Sequence, residues 1–386
     1  MKIKLLNKIA KVGTDVFDPT RYEVSENVAG AEGIMVRSAA MHDMPRDPEL
    51  LAIARAGAGV NNIPVEACAE DGVVVFNTPG ANANGVKELT VCAMLLAARN
   101  VVGGIAWAQS LAGTEGVAKQ VEKGKSSFAG YELAGKTLGV IGLGAIGRLV
   151  AGAAASLGMK VVGCDPYLSK EAAALLDPSV VTVPTFDDVY AAADYLTLHV
   201  PATPSTKGMI CKDTLAKMKD GVRILNLARA DLVTAEDVKV ALKEGKVAVY
   251  VTDFPTEEVL GVDGIITIPH LGASTEESED NCAVMAAHEL VDYLEFGNIK
   301  NSVNYPNVFL APSGFARVSI LHKNIPNMIS TLTGILSADG LNIEHMANGS
   351  KGDYSCSLLE CSKAPSADAL AKLAAVEGVI RVRSLG

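Results

Sequence analysis

The stretch Lys136-Thr137-Leu138-Gly139-Val140-Ile141-Gly142-Leu143-Gly144-Ala145-Ile146-Gly147-Arg148 runs an apolar strand straight into G-x-G-x-x-G. Three glycines at this spacing are a weak signal alone; the context makes them specific. TLGVIGL (137–143) reads as a strand, AIGRLVAGAAASLG (145–158) as a helix, and KVVGCD (160–165) as a second strand ending on Asp165. An acid roughly 20 residues past the glycines, closing a strand–helix–strand unit, is what a dinucleotide site requires. Gly142 permits the tight turn, Gly144 lets the backbone approach a pyrophosphate, and Gly147 lets helix and strand pack closely. The helix N-terminus offers free N–H groups and a positive dipole to the phosphates. The alternative is a glycine-rich turn in an alanine-rich α/β protein, which the surrounding pattern disfavours.

Asp165 also bears on the cofactor. A carboxylate at the end of the second strand accepts hydrogen bonds from ribose hydroxyls and repels the extra phosphate of NADP. Pro166 and Tyr167 follow, with no arginine to receive that phosphate. NAD is expected. The plainer alternative is that Asp165 only caps the next turn.

Outward from this unit, the strand–helix alternation continues through VTVPT, YLTLHV, RILNLAR, VAVYVTD and IITIPH, the last ending on His270. Seven mostly apolar strands suit a buried parallel sheet with helices on both faces. Upstream, IKLLN near residue 3, GIMVRS (33–38) and VVVFN (73–77) read as strands, Leu50–Ala56 as a helix ending at Gly57, and Val86–Arg99 as a helix. This predicts a first α/β domain over residues 1–96 and a nucleotide domain over 97–275. The polar stretch Gly113–Ser127 is a solvated loop and helix face or part of a subunit interface. A long helix from about Glu276 to Phe296 is able to cross back to the first domain. Residues 276–306 are therefore a return to it, and Asn304-Tyr305-Pro306-Asn307 reads as a linker. The final part, 307–386, changes character: the order βαββαβ is that of a small ferredoxin-like module. It holds no plausible catalytic cluster, which points to regulation or assembly and to a chain still active without residues 312–386.

The chain has 386 residues, too long for one ordinary domain, with 49% apolar residues and a net charge of -10. The acidic balance argues against nucleic acid and acidic membranes as partners. No apolar run reaches membrane-spanning length, and the N-terminal MKIKLLNKIAKVG lacks the core and cleavage site of a signal peptide. Seven cysteines, an odd number without CxxC, read as buried free thiols in a reducing cytoplasm. No His/Cys cluster has metal-ligand spacing, so no metal is expected.

Three polar residues fall at the carboxyl ends of strands in the nucleotide domain, the edge where α/β sheets bind ligands. Arg229 closes ILNLAR, Glu257 follows VAVYVTD, and His270 closes IITIPH. A histidine that titrates near neutrality takes a proton from a hydroxyl losing hydride, and returns it in reverse. A paired carboxylate stabilises the imidazolium, and an arginine clamps a substrate carboxylate. Taken singly, Arg229 could pair structurally, Glu257 could be a solvated turn residue and His270 a satisfied core histidine; three at one sheet edge shift the balance.

With GLGAIG (142–147), YLTLHVPATPSTKGMI (195–210), LNLARADLV (225–233), FPTE (254–257) and PHLGASTEES (269–278), nearly the whole chain resembles the NAD-dependent D-2-hydroxyacid dehydrogenases. The resemblance implies a Rossmann-type NAD domain inserted in a flavodoxin-like α/β substrate domain. It implies catalytic roles for Arg229, Glu257 and His270. It implies an NAD site at Gly142, Gly144, Ala145, Ile146, Gly147, Asp165, His199, Pro201, Leu227, Ala228, Arg229, Asp253, His270, Gly272 and Ala273. Arg37, Ser38, Ala58, Gly59, Val60, Asn82 and Gly85 match the substrate-facing loops, with Arg37 the candidate for a substrate phosphate. The implied reaction is oxidation of the hydroxyl of 3-phosphoglycerate, the entry step to serine, by a homodimer or homotetramer. Other readings are a glyoxylate, hydroxypyruvate or lactate-type reductase, or an NAD-sensing corepressor-like binding protein. Relatives commonly read D-V-F-x-x-E-P. Here Thr252-Asp253-Phe254-Pro255-Thr256-Glu257-Glu258 leaves Glu257, anchored by Phe-Pro-Thr, in competition with Glu258, which keeps the spacing from Asp253. The C-terminal module resembles an ACT domain, which implies an amino-acid effector site at His322, Asn324 and Asn342. Asn327 stands where glycine is usual, so weak or absent serine inhibition is expected.

Overall fold

The computed structural model describes residues 1–385, which divide into two compact units, Met1–Asn82 with Glu276 onward, and Ala83–Thr275. The break at Asn82 lies upstream of the expected one at residue 96. The helix Ala83–Ala98 packs on the helix that follows the glycine motif, Ala145–Ser156, through Ala93, Met94, Val150 and Ala151. Small residues on both faces let the two helices approach, and this packing draws the whole helix into the second unit.

In the first unit β1 (Lys2–Leu6), β2 (Glu23–Ser25), β3 (Gly33–Val36), β4 (Ala52–Arg55) and β5 (Val74–Asn77) form a parallel sheet in the order β2-β1-β3-β4-β5, the flavodoxin-type winding. β4 corrects the expectation of a helix over 50–56. A short apolar run carries no periodicity that separates a buried strand from a helix. Here Ala52, Ile53 and Ala54 are buried between β3 and β5, where only an extended chain satisfies both neighbours' backbone groups.

The second unit holds β6 (Thr137–Ile141), β7 (Lys160–Cys164), β8 (Val180–Thr182), β9 (Tyr195–Leu198), β10 (Val222–Asn226), β11 (Val247–Thr252) and β12 (Ile265–Thr267). Their order, β12-β11-β10-β9-β6-β7-β8, is all parallel and doubly wound. Leu138 and Val140 face one core with Met94 and Val150; Ile141 faces another with Tyr190, Leu196 and Ile224. Burial of both faces explains the near-continuous apolar strands. The strand order reverses between β6 and β9, which opens the ligand crevice at the carboxyl end of β6.

The C-terminal part adds β13 (Ala316–Lys323), β14 (Ile343–Lys351), β15 (Tyr354–Cys361) and β16 (Val379–Leu385) as an antiparallel sheet ordered β14-β15-β13-β16, with helices Met328–Ala338 and Ala367–Ala374. One sheet face covers these helices through Val318, Ile320, Leu332, Leu336 and Leu373. The other does not face solvent. Leu321, Cys356, Leu358 and Leu385 share a core with Ile3, Phe76, Leu290 and Tyr293 of the same unit. Arg383 lies over the Tyr293 ring and donates to the carbonyls of Tyr293 and Leu294 at the end of the helix Glu276–Phe296. The expected linker at 304–307 is likewise packed: Asn304 pairs with the backbone of Val73 and Val75, and the Tyr305 hydroxyl donates to Ala69 O at 2.7 Å. A segment that satisfies core backbone groups with its own side chains is part of the domain. No single helix among the described residues is long and apolar enough to cross a membrane.

Candidate active site

Because the second sheet is all parallel, the carboxyl ends of its strands share one edge. Gly142 follows β6, Asp165 follows β7, and His199 with Pro201 follows β9. Leu227, Ala228 and Arg229 follow β10, Asp253 follows β11, and His270, Gly272 and Ala273 follow β12. The residues expected to hold NAD, scattered over 142–273, are therefore brought to one rim.

The glycine loop fits a dinucleotide. Gly142 has φ +89°, and a side chain there would press on His199 O at 2.6 Å. A Cβ on Gly147 would overlap the Gly142 carbonyl, so only glycine lets the helix start this close. A Cβ on Gly144 would meet no protein atom within 4 Å. Open space at the N-cap of a 12-residue helix is room for a phosphate. Ala145 and Ile146 open that helix. The Asp165 carboxylate accepts from Leu143 N–H and Tyr167 N–H, both at 2.9 Å. It is thereby oriented beside the glycine loop with lone pairs left for ribose hydroxyls. It also caps its own turn, as the plainer of the two sequence readings expects. Burial pushes His199 down to about 4, which keeps its ring neutral beside the Thr197 hydroxyl.

Arg229, Asp253 and His270 lie near one another on this rim. Arg229 and His270 are exposed, and Asp253 is buried, 1% accessible. The Asp253 carboxylate accepts from Gly272 N–H at 3.3 Å through one oxygen, while Oδ1 has no partner. Burial raises its pKa, and the nearby His270 and Arg229 charges oppose that rise. His270 N–H donates to Asp253 O at 3.0 Å, the ring lies against Phe254 at 4.9 Å, and φ is +46°. A histidine held in the left-handed region is locally strained, a feature that clusters at functional sites. Asn226, fully buried, donates to Arg229 O at 2.9 Å and accepts from Ala228 N–H, and so fixes the loop that carries the guanidinium.

Glu257 is not gathered into this group. It is exposed in the following turn, and among the described residues no hydrogen bond or ion pair joins it to His270. Glu258 lines a groove with Lys207, Ala230 and Asp231. The carboxylate that the structure sets beside His270 is Asp253.

On the first unit, Arg37 closes β3 and Arg55 closes β4. Arg37 pairs with Glu279 at 2.6 Å, and Arg55 Nε donates to Arg37 O at 3.0 Å. Ser38 N–H is held by Asn7, while Ala58, Gly59 and Val60 lie in the loop after β4. Asn82 ends the first stretch of this unit, whereas Gly85 lies in the next, which begins at Ala83. Sequence reading missed Arg55 because it placed the residue within a helix; as a strand it ends at the ligand edge.

In the C-terminal module His322 is buried, with Nδ1 donating to Lys323 O and Nε2 at 2.9 Å from Ser357 Oγ. Asn324 Nδ2 donates to Gly352 O, and Asn342 Nδ2 donates to Glu344 at 2.8 Å. His322 and Asn324 are thus tied into the sheet and its hairpin, while Asn342 lies apart at the start of β14.

Residues 91–273 match the family model of the D-isomer specific 2-hydroxyacid dehydrogenase NAD-binding domain. Over these residues the chain is similar to that NAD-binding domain. The D-3-phosphoglycerate dehydrogenase of Methanocaldococcus jannaschii is 38% identical over 315 residues, 79% of this chain and 58% of the relative. That of Synechocystis is 32% identical over 371 residues, 91% of this chain and 64% of the relative. The chain thus spans under two thirds of the length of these curated relatives. Among solved structures, an NAD+-bound 3-phosphoglycerate dehydrogenase of Entamoeba histolytica superposes with TM-score 0.61 at 29% identity, covering 79% of this chain and 98% of that one. A glyoxylate reductase from Paecilomyes thermophila superposes with TM-score 0.63 at 24% identity and shares the fold.

Proposed function

We propose that the chain is an NAD-dependent D-2-hydroxyacid dehydrogenase that oxidises 3-phosphoglycerate to 3-phosphohydroxypyruvate. The observation that carries this reading is the convergence of Arg229, Asp253 and His270 at the rim of the NAD sheet. NAD, when bound, supplies the hydride acceptor. Arg229 binds the substrate carboxylate and the developing carbonyl oxygen. His270 takes the hydroxyl proton during oxidation and returns it in reduction. The carboxyl group of Asp253, with its free Oδ1, suits the carboxamide of the nicotinamide and adds negative potential beside His270. Glu257 or Glu258 serves as the carboxylate partner of His270 only if the 254–258 turn moves. Arg37 and Arg55 supply the positive charge that a substrate phosphate needs.

The curated relatives support the phosphorylated substrate, and the two guanidinium groups at one strand edge agree with it. The βαββαβ module reads as a ferredoxin-like ACT domain with an amino-acid effector site at His322, Asn324 and Asn342. Val102 and Ile105, 53% and 58% exposed on the helix Val101–Ser110, suit a self-association surface and so a homo-oligomer. The test is a panel of 3-phosphoglycerate, glycerate and lactate with NAD and NADP. Turnover greatest with 3-phosphoglycerate and NAD is expected. Preference for lactate or glycerate overturns the substrate, and no turnover with any 2-hydroxy acid overturns the enzyme.

A further inference from the structure

The helix Glu276–Phe296 carries a carboxyl group that none of the chemistry above uses. Glu289 is 7% exposed, accepts from Asn301 Nδ2 at 2.7 Å through Oε1, and leaves Oε2 buried without a partner. It lines a groove of about 400 Å³ together with Met285, Asp292, Phe296, Lys300 and Asn301. Met285, Glu289, Asp292 and Phe296 fall at helical spacing, so two carboxyl groups and two apolar side chains share one face. A buried carboxyl oxygen without a donor costs free energy until a donor arrives. A cation with several N–H groups answers both carboxyls at once, and an aliphatic body fills the space between Met285 and Phe296. Two carboxyl groups between apolar side chains offer fewer oxygens than a hard metal ion takes, which favours an organic cation.

The groove is also wired to the loop after β4. Asn301 is held at φ +61°, and its carbonyl accepts from Asn77 N–H at 3.3 Å. Asn77 Nδ2 in turn donates to Ala58 O at 2.6 Å. A ligand that pulls on Glu289 therefore pulls on Asn301, and through it on residues 58–60.

We propose that this groove binds a small primary ammonium ligand with an apolar body, seated on Glu289 and Asp292, and that its occupancy orders the 58–60 loop through Asn301 and Asn77. Burial pushes the Glu289 carboxyl up to about 8, so at pH 7 an ammonium ion binds with expulsion of its proton. The other titratable or charged groups about the groove are His288 and Asp292 from the same helix, Lys300 from the segment beyond it, and Arg317, whose charge acts on Asp292.

The probe is n-butylammonium chloride, titrated calorimetrically into the full chain at pH 7 in two buffers of different ionisation enthalpy. One saturable site releasing about one proton per ligand is expected. Glu289→Gln keeps the bond to Asn301 and should weaken binding about 10–100-fold, as loss of one charge-assisted bond predicts. Met285→Trp should abolish binding by filling the groove, and His288→Asn should leave proton release unchanged. Amide exchange in residues 57–61 should slow when the probe binds. The absence of a saturable site in natively folded protein overturns the proposal, as does full affinity in Glu289→Gln. Binding of butyrate in place of butylammonium overturns the charge assignment, and unchanged exchange in 57–61 overturns the coupling.

Discussion

Replacing Gly144 and Gly147 in turn by alanine should separate ligand binding from folding within one motif. Gly147 is in contact with the Gly142 carbonyl, and its Cβ would overlap a backbone atom that no side-chain rotation can move. The helix must shift off the end of β6. Overpacking of this kind costs about 1–3 kcal/mol, of which the helix preference of alanine over glycine returns about 1. Because the clash is with fixed backbone, the cost falls in the upper part of that range, about 2–3 kcal/mol, which leaves a net loss of about 1–2. At roughly 2–4 °C per kcal/mol for a unit of this size, Gly147→Ala should lower Tm by about 2–8 °C. Gly144 differs on every count. Its φ of -69° and ψ of -156° suit any residue, and its Cβ meets no protein atom. Gly144→Ala should leave Tm within about 1 °C of the parent, because the lost N-cap preference and the reduced unfolded-state entropy nearly cancel. Its Cβ does enter the space left for the pyrophosphate. Loss of one charge-assisted hydrogen bond, about 1.5–3 kcal/mol, weakens NAD about 10–150-fold. Differential scanning fluorimetry reads the first effect and calorimetric titration with NAD the second. Unchanged NAD affinity in Gly144→Ala, or equal loss of Tm in both variants, would refute the division of labour.

His270→Asn should reduce turnover by about 10²–10⁴-fold while NAD binds nearly as before, since the substitution removes only the proton carrier; more than half of the parent rate would remove His270 from the chemistry. Deleting residues 312–386 strips Leu321, Cys356, Leu358 and Leu385 from a shared core. At about 1.5–3 kcal/mol per side chain the loss rivals a typical total stability of about 5–15 kcal/mol, so the truncated chain should aggregate or unfold; a soluble, cooperative, active truncation contradicts this. Glu289 binds its proton more tightly in the fold than in the unfolded chain, because burial disfavours the carboxylate. The folded state therefore holds more protons between about pH 4.5 and 8, and stability should fall as pH rises through that window and level off above it. Glu289→Gln should flatten this slope in Tm measured against pH, and an unaltered slope would assign it to another group.

The amino-acid order by itself carried the nucleotide unit. Glycine spacing, the acid at Asp165 and seven apolar strands with helices between them are local facts, and parallel winding follows because both sheet faces must be covered. The βαββαβ order of the last part was equally legible, since turn residues and periodicity mark each element. Only tertiary structure decided the rest. Ala52–Arg55 is a strand because β3 and β5 flank it, which no window around residue 53 reveals. Asn304 and Tyr305 look like linker residues until Val73, Val75 and Ala69 appear as their partners. Glu257 follows the motif, yet the buried acid whose charge senses His270 is Asp253, because the turn after β11 buries its carboxyl and leaves the next acids exposed. Arg55 and Glu289 gain their partners only through residues distant in sequence: Arg37 across a parallel ladder, and Asn301 from the segment beyond the helix. Spacing along the chain records which elements form; which side chains meet depends on how those elements stack, and that is set by burial summed over the whole unit.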